Sequence, residues 1–193
     1  QTFRTHANGE ADLAAWRRNN LNIFVSDIAK TLRTQSPHVK FGISPMGIWR
    51  NQADDPRGSK SRVSQTAYDA LHADVRTWLK KGWIDYVAPQ LYWRMNHPQA
   101  GYAELLPWWE ANSFGRHLYA GQAMYKFQPT GQKPARWKGA DQLVQQMALN
   151  RTLPLVKGHV LYSAKALQNL PEDVQQTLKG SRAYPALIPP MSW

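Results

Sequence analysis

The segment Ile84-Asp85-Tyr86-Val87-Ala88-Pro89-Gln90-Leu91-Tyr92-Trp93 would be apolar on both faces if extended, and it restricts the fold more than any other feature of the chain. A strand without a polar face must be covered on both sides, as in a parallel sheet with helices on one side and a barrel core on the other. Three further segments read the same way: Lys40 to Pro45, His117 to Tyr125, and His159 to Ser163. Pro45 stops the first, since proline cannot donate to a ladder. The strands recur roughly every forty residues with a helical pattern after each, which predicts βαβ units and a parallel sheet.

The helices follow from apolar spacing. Leu21, Phe24, Ile28 and Leu32 predict an amphipathic helix over about 11–34. A second is expected to start near Ser64 or Thr66 with Tyr68, Leu71, Val75, Trp78 and Leu79 on one face, to carry Lys80 and Lys81 at its negative end, and to stop at Gly82. Gly101 to Asn112 reads as helical despite Pro107. Leu143, Val144 and Met147 are expected to face inward from the next helix, and Pro171 to Gly180 reads as the last. The tail, Tyr184 to Met191, is proline-bound and is expected to lie along the body as extended chain. An Asn-, Asp-, Gly- and Ser-rich loop spans Asn51 to Ser64, and a basic loop spans Gln128 to Gly139. Loops of that length are usually functional.

A (β/α)8 barrel typically needs about 250 residues and eight strands. This chain has 193 residues and four candidate strands. The expected class is therefore α/β, parallel (β/α) units forming the C-terminal half of a TIM-type barrel, as one domain over 1–193. Such a half exposes two sheet edges, at the Phe41 strand and the Tyr162 strand. Bare edges are prone to aggregate, so a missing N-terminal half-barrel, a second chain or a self-paired dimer is expected to cover them.

Composition narrows the chemistry. The chain has no cysteine, so disulfides and thiolate metal sites are excluded. No G-x-G-x-x-G loop follows a strand, which counts against dinucleotide binding. The spacing of Gly42-Ile43-Ser44-Pro45-Met46-Gly47 is wrong for a nucleophile elbow. The six histidines show no metal-binding spacing, so no metal and no cofactor is expected. There is no run long and apolar enough to span a membrane, and the polar start Gln1-Thr2-Phe3-Arg4 is not a secretion leader. The 24 basic against 13 acidic side chains give a formal charge of +11, which favours anionic partners. The basic residues are scattered and no nucleic-acid motif is present, so nucleic acid is not the expected partner.

Barrels of this kind bind ligands at the C-terminal ends of their strands. Those ends hold Ser44, Pro45, Gly47, Trp49, Arg50 and Asn51; then Gln90, Tyr92, Trp93 and Arg94; then Gln122, Met124 and Tyr125; and Tyr162 with Ser163. Each group mixes amides or hydroxyls with rings, as a polysaccharide substrate requires, with hydroxyls to bond and flat C–H faces to stack on. Ser44, Trp49, Arg50, Asn51, Gln90, Tyr92, Trp93, Gln122 and Tyr125 are the candidate substrate contacts. This reading requires their tips to share one mouth. His97, beyond a strand end, is the histidine retained as a candidate contact. Glycoside hydrolysis generally needs two carboxylates about 5 to 10 Å apart, and the strand ends carry none. Asp85 begins its strand, at the opposite face. Glu104, Glu110, Asp141, Glu172 and Asp173 read as solvated helix surface, and only Asp54 and Asp55 could reach the mouth.

Trp16-Arg17-Arg18-Asn19-Asn20, the run Phe41 to Asn51, the run Gly82 to Trp93, and the tail Pro185 to Met191 together resemble the glycosyl hydrolase-like 10 family. The resemblance implies an O-glycosyl hydrolase of the bacterial cell envelope, periplasmic or extracellular and in full length a lipoprotein candidate, acting on a cell-wall or exopolysaccharide glycan such as peptidoglycan strands stripped of peptides. It implies substrate contacts at Ser44, Trp49, Arg50, Gln90 and Tyr92. The family's front half, with an Asp-Asp-Tyr segment, has no counterpart here, so no catalytic residue is carried over, and the fragment alone is expected to be inactive. Arg17 or Arg18 would brace that acidic segment. A non-catalytic carbohydrate-binding module of the same fold remains the alternative.

Overall fold

Each apolar strand segment finds a parallel neighbour. In the computed structural model, which describes residues 2–7, 9–10, 12–181 and 186–193, β1 (Gly42–Ile43), β2 (Tyr86–Val87), β3 (His117–Ala123) and β4 (Val156–Tyr162) form one sheet in the order β1-β2-β3-β4. All three pairings are parallel, with Gly42 opposite Tyr86, Val87 opposite Leu118, and Ala123 opposite Tyr162. The α/β class and the partial (β/α) barrel therefore stand. The regular ladders of β1 and β2 are shorter than the apolar runs that announced them. Pairing continues past their ends through Gln90 N–H to Pro45 O (3.0 Å) and the bridges Met46 to Gln90 and Gln90 to Gly121. Two glycines permit this closeness: a Cβ on Gly47 would sit 2.3 Å from the Gln90 carbonyl oxygen, and one on Gly121 would sit 2.6 Å from that of Pro89.

The helices are α1 (Thr2–His6), α2 (Leu13–Gln35), α3 (Val75–Lys80), α4 (Tyr102–Ala111), α5 (Asp141–Thr152), α6 (Ala164–Leu167) and α7 (Glu172–Ser181). Asp12 caps α2 by accepting from Ala15 N–H at 2.7 Å, the expected use of a short acid at a helix start. Its inward face differs from expectation. Val25 and Ala29 are buried whereas Phe24 is 61% exposed, because the contact with α3 is set by Asn22, whose side chain accepts from Trp78 Nε1 at 2.6 Å. The helix expected from Ser64 or Thr66 begins only at Val75. Thr66 and Asp69 bond each other in a tight turn, His72 takes a left-handed φ of 56°, and Asp74 then caps α3 through Thr77 N–H. Short polar side chains that bond their own backbone compete with helix in this way. Tyr68 and Leu71 therefore belong to a turn.

Helix α4 keeps Pro107 inside it while burying Leu105, Leu106 and Trp109. Helix α5 buries Leu143, Gln146, Met147 and Asn150, and Val144 is 49% exposed where it was expected inside. Two amides occupy inward positions there, so apolarity alone mis-set the face. Strand β4 begins at Val156, earlier than expected, since Glu110 accepts from Leu155 N–H at 2.9 Å and ties α4 to the strand start. Glu110 is thus an anchor and not free surface. Helix α7 runs one residue past Gly180.

Val87 and Leu118 point to the helices and join one core cluster with Trp49, Trp78, Leu105 and Trp109. A second cluster gathers Met124, Phe127, Trp137, Leu143 and Val174. The other face of the sheet carries Tyr86 and Tyr119 edge to face at 5.5 Å, then Val160 and Tyr162, which are 47% and 55% exposed. This is the side on which a closed barrel would place its remaining strands, and β1 and β4 are the outer strands of the sheet among the described residues. At the N-terminal ends of the strands the tail is docked: Trp193 Nε1 donates to Asp85 at 3.1 Å, and its ring meets His117 edge to face at 5.0 Å. Residues 186–193 form no helix or strand, while Tyr184 and Pro185 of the expected tail lie outside the described residues.

Candidate functional site

The parallel sheet sends the C-terminal ends of β1, β2 and β3 to one rim, and the residues just beyond them build a cleft. It measures about 260 Å3 and is lined by Met46, Gln90, Tyr92, Trp93, Tyr125 and Lys126. Gln90 is oriented by donating from Nε2 to the Ser44 carbonyl at 3.2 Å, which leaves Ser44 exposed beside it. Tyr92 lies stacked on Tyr162, with ring centres 5.8 Å apart at 25°, and edge to face with Tyr125 at 6.0 Å. Burial pushes the Tyr92 phenol up to about 12, with Tyr125 and Tyr162 adding to it, so it is neutral and donates at physiological pH. Lys126 follows β3 in a short 3-10 turn, Met124–Phe127. Its ammonium donates to the Tyr92 carbonyl and stands over the Trp137 ring. Burial, with Arg136 and Arg94 nearby, lowers its pKa to about 8.

The nine expected contacts divide. Ser44, Gln90, Tyr92, Trp93 and Tyr125 come together at this rim. Trp49 does not reach it. Its indole is 1% exposed, stacked on Trp108 at 6.1 Å, edge to face with Tyr68, and flanked by the Arg57 and Arg76 guanidiniums. Arg50 is held by Asp69 (2.8 Å) and Asp55 (3.3 Å) and lies over Tyr68. Asn51 is buried, donating to Asp54 and to the Val63 carbonyl while accepting from Ser61 and Val63 N–H, so it knots the long loop. Gln122 is buried on the helix side of the sheet, where its amide donates to Gln146 at 3.2 Å. Its position on β3, one residue before the inward Ala123, turns it away from the mouth. Trp49, Gln90 and Gln122 thus do not converge, so the single mouth required of the nine expected contacts is not formed, and what remains at the rim is the narrower set Ser44, Gln90, Tyr92, Trp93 and Tyr125. Arg17 contacts His72 at 3.3 Å and Arg18 lies over the Tyr68 ring.

The two acids of the long loop also part ways. Asp54 is exposed and accepts from Asn51. Asp55 is buried and grips Arg57 through its guanidinium (2.7 and 2.9 Å) and backbone N–H (2.9 Å). Those bonds, with Arg50 close by, hold its carboxyl well below the ordinary carboxylate value of 3.8. An acid so stabilised as its anion is a poor proton donor. Its stabilising contribution is present above the unfolded value and fades as pH falls below it. Asp55→Asn is therefore expected to cost about 2 kcal/mol near neutral pH. The gap from the parent should narrow on acidification below about pH 4, as read by urea unfolding at several pH values; a gap independent of pH would refute this role.

Sequence reasoning did not single out Lys126, Arg136 or Trp137. The available signal was a lysine between two aromatics, Tyr125 and Phe127, leading into the basic loop. Among the described residues no group of three metal-ligating side chains is gathered, and no helix is long and apolar enough to cross a membrane.

Residues 2–139 match the sequence signature of the family described as Glycosyl hydrolase-like 10. The chain belongs to that family. Glycosyl hydrolase YngK of Bacillus subtilis (strain 168) is 44% identical to it over 181 residues, which is 92% of this chain and 35% of that protein. Glycosyl hydrolase DigH of Escherichia coli (strain K12) is 36% identical over 180 residues, 91% of this chain and 40% of that protein. This member of the glycosyl hydrolase-like 10 family thus spans between 35% and 40% of the length of these relatives. Both names give a glycosyl hydrolase.

Proposed function

We propose that residues 1–193 are the C-terminal half of a (β/α)8 glycoside hydrolase barrel that acts on a bacterial cell-wall or exopolysaccharide glycan, with peptidoglycan glycan strands as the leading substrate. The observation that carries this reading is the cleft lined by Gln90, Tyr92, Trp93, Tyr125 and Lys126 at the C-terminal ends of parallel strands. It offers rings for sugar faces, an amide and phenols for hydroxyls, and no carboxylate. Hydrolysis needs an acid and a second carboxylate about 5 to 10 Å from it. Here the nearby loop acids are spent on structure, Asp55 on Arg57 and Asp54 on Asn51. The catalytic pair then comes from the half that precedes this one, which would also close the barrel against the exposed Val160 and Tyr162 face and both sheet edges. The protein's place is the cell envelope, where such glycans are found.

The lack of a carboxylate in the rim also favours a second reading, a non-catalytic carbohydrate-binding module. The full-length protein is tested on purified peptide-free glycan strands, with new reducing ends and product masses as the readout. Cleavage by the full-length protein, together with binding but no turnover by residues 1–193, supports the enzyme reading. Binding without cleavage by either supports the module, and turnover by residues 1–193 alone refutes the assignment of the acids to the other half.

A further inference from the structure

Beside the sugar cleft, and sharing Trp93 and Lys126 with it, lies a second cleft of about 290 Å3 lined by Trp93, Arg94, His97, Lys126, Arg136 and Trp137. Its wall contains three cations and no carboxylate. The ion pairs among the described residues are made by Arg50 and Arg57 with Asp55 and Asp69, and none involves Arg94, Lys126 or Arg136. Arg94 and Lys126 are nonetheless held in place by neutral groups, and the exposed Arg136 side chain lies beside them. The Arg94 guanidinium donates to the Arg136 carbonyl, and Lys126 donates to the Tyr92 carbonyl and stands 5.3 Å from the centre of the Trp137 ring. An ammonium has three donors and a guanidinium five, so each keeps N–H groups free for a ligand.

The cations also repel one another, as Arg136 and Arg94 both favour the neutral form of Lys126. Like charges gathered around a concave, partly desolvated wall concentrate anions there. An anion that enters exchanges this repulsion for charge-assisted hydrogen bonds, which are shorter and stronger than neutral ones. Trp93 supplies a half-buried ring beside the charges, while Trp137 is 3% exposed and backs the wall from below, so a pyranose ring carrying the anionic group fits the lining better than a free ion does.

We propose that Arg94, Lys126 and Arg136 form a carboxylate subsite that receives an acidic sugar of the glycan lying in the neighbouring cleft. The inference rests on the saccharide reading of that cleft and adds the class of sugar. The carboxylate could be an ether-linked lactyl group or a uronate, since both present the same two oxygens.

Calorimetric titration of the full-length protein tests this with three hexasaccharides: peptide-free N-acetylglucosamine–N-acetylmuramic acid, the same oligomer with its carboxyls reduced to alcohols, and hyaluronan. At least one acidic oligomer should bind about tenfold or more tightly than the reduced one; tight binding of the first points to the lactyl source and of hyaluronan to the uronate. The double variant Arg94→Gln, Arg136→Gln, at two residues outside the sugar cleft, should cut the preference to about twofold or less and leave binding of the reduced oligomer within about twofold, while Arg94→Lys, Arg136→Lys should keep the preference. Equal affinity for acidic and reduced oligomers overturns the subsite and leaves the saccharide cleft standing, as does a double variant that loses the reduced oligomer equally. Absence of binding by all three defeats the saccharide reading and the subsite with it. Affinity for single-stranded DNA matching that for the acidic oligomers overturns the assignment to sugar.

Discussion

Trp49→Ala is expected to lower the unfolding free energy by about 3–5 kcal/mol, the range for removing a large buried ring. In a protein of this size that corresponds to a fall in Tm of roughly 10 °C or more. The indole is 1% exposed and fills the space between the loop after β1 and helix α4. It touches Trp108 and Tyr68, bears the Arg57 and Arg76 guanidiniums on its faces, and donates from Nε1 to Asp74 at 3.3 Å. Because Asp74 is also the cap of α3, the cavity would loosen the helix start as well. Trp49→Phe should recover part of the loss. Thermal unfolding of the intact protein is the check, and an unchanged Tm accompanied by weakened glycan binding would place Trp49 in the sugar site instead.

The second large effect belongs to Trp93. It is shared by the two clefts of the rim and only half buried, packed against the margin of the first core cluster. Trp93→Ala should raise the Kd for glycan about thirtyfold, roughly 2 kcal/mol, the scale of an aromatic hot spot. The change in Tm should be smaller than for Trp49→Ala. Trp93→Phe should retain most of the affinity, because a flat ring remains. Titration of glycan oligomers into the parent and both variants decides it. Unchanged affinity in Trp93→Ala would mean that saccharide binds elsewhere.

These two tryptophans show how far the sequence could be read. Both lie just after a strand segment, and both carry the residue type that sugar sites use. What separates them is packing. Trp108 and Tyr68, far apart in sequence from each other, close over Trp49, whereas Trp93 packs against the same core cluster from its margin and stays half-buried at the two clefts. The same holds for the glutamines. Gln90 sits at a bridge between the β1 and β3 ends and looks into the rim, while Gln122 sits at a register position that faces α5. A one-residue difference in phase along a strand sends a side chain to the opposite face, and phase relative to the barrel is a property of the assembled sheet. Helix limits failed for a local reason, since the Thr66–Asp69 turn and the left-handed His72 override an apolar period that looked continuous.

By itself the sequence determined the parallel α/β class, the count of four strand–helix units and the end of the sheet where ligands belong, because two-sided apolar strands admit few other arrangements. It also determined the family, through long motifs in order. The tertiary structure alone decided which rings line the rim and which are buried. It also decided that Asp55 is a structural anion and that three cations from separate segments share one wall. The physical reason is that burial and electrostatic environment are sums over neighbours distant along the chain, and those neighbours are supplied only when the sheet and its helices come together.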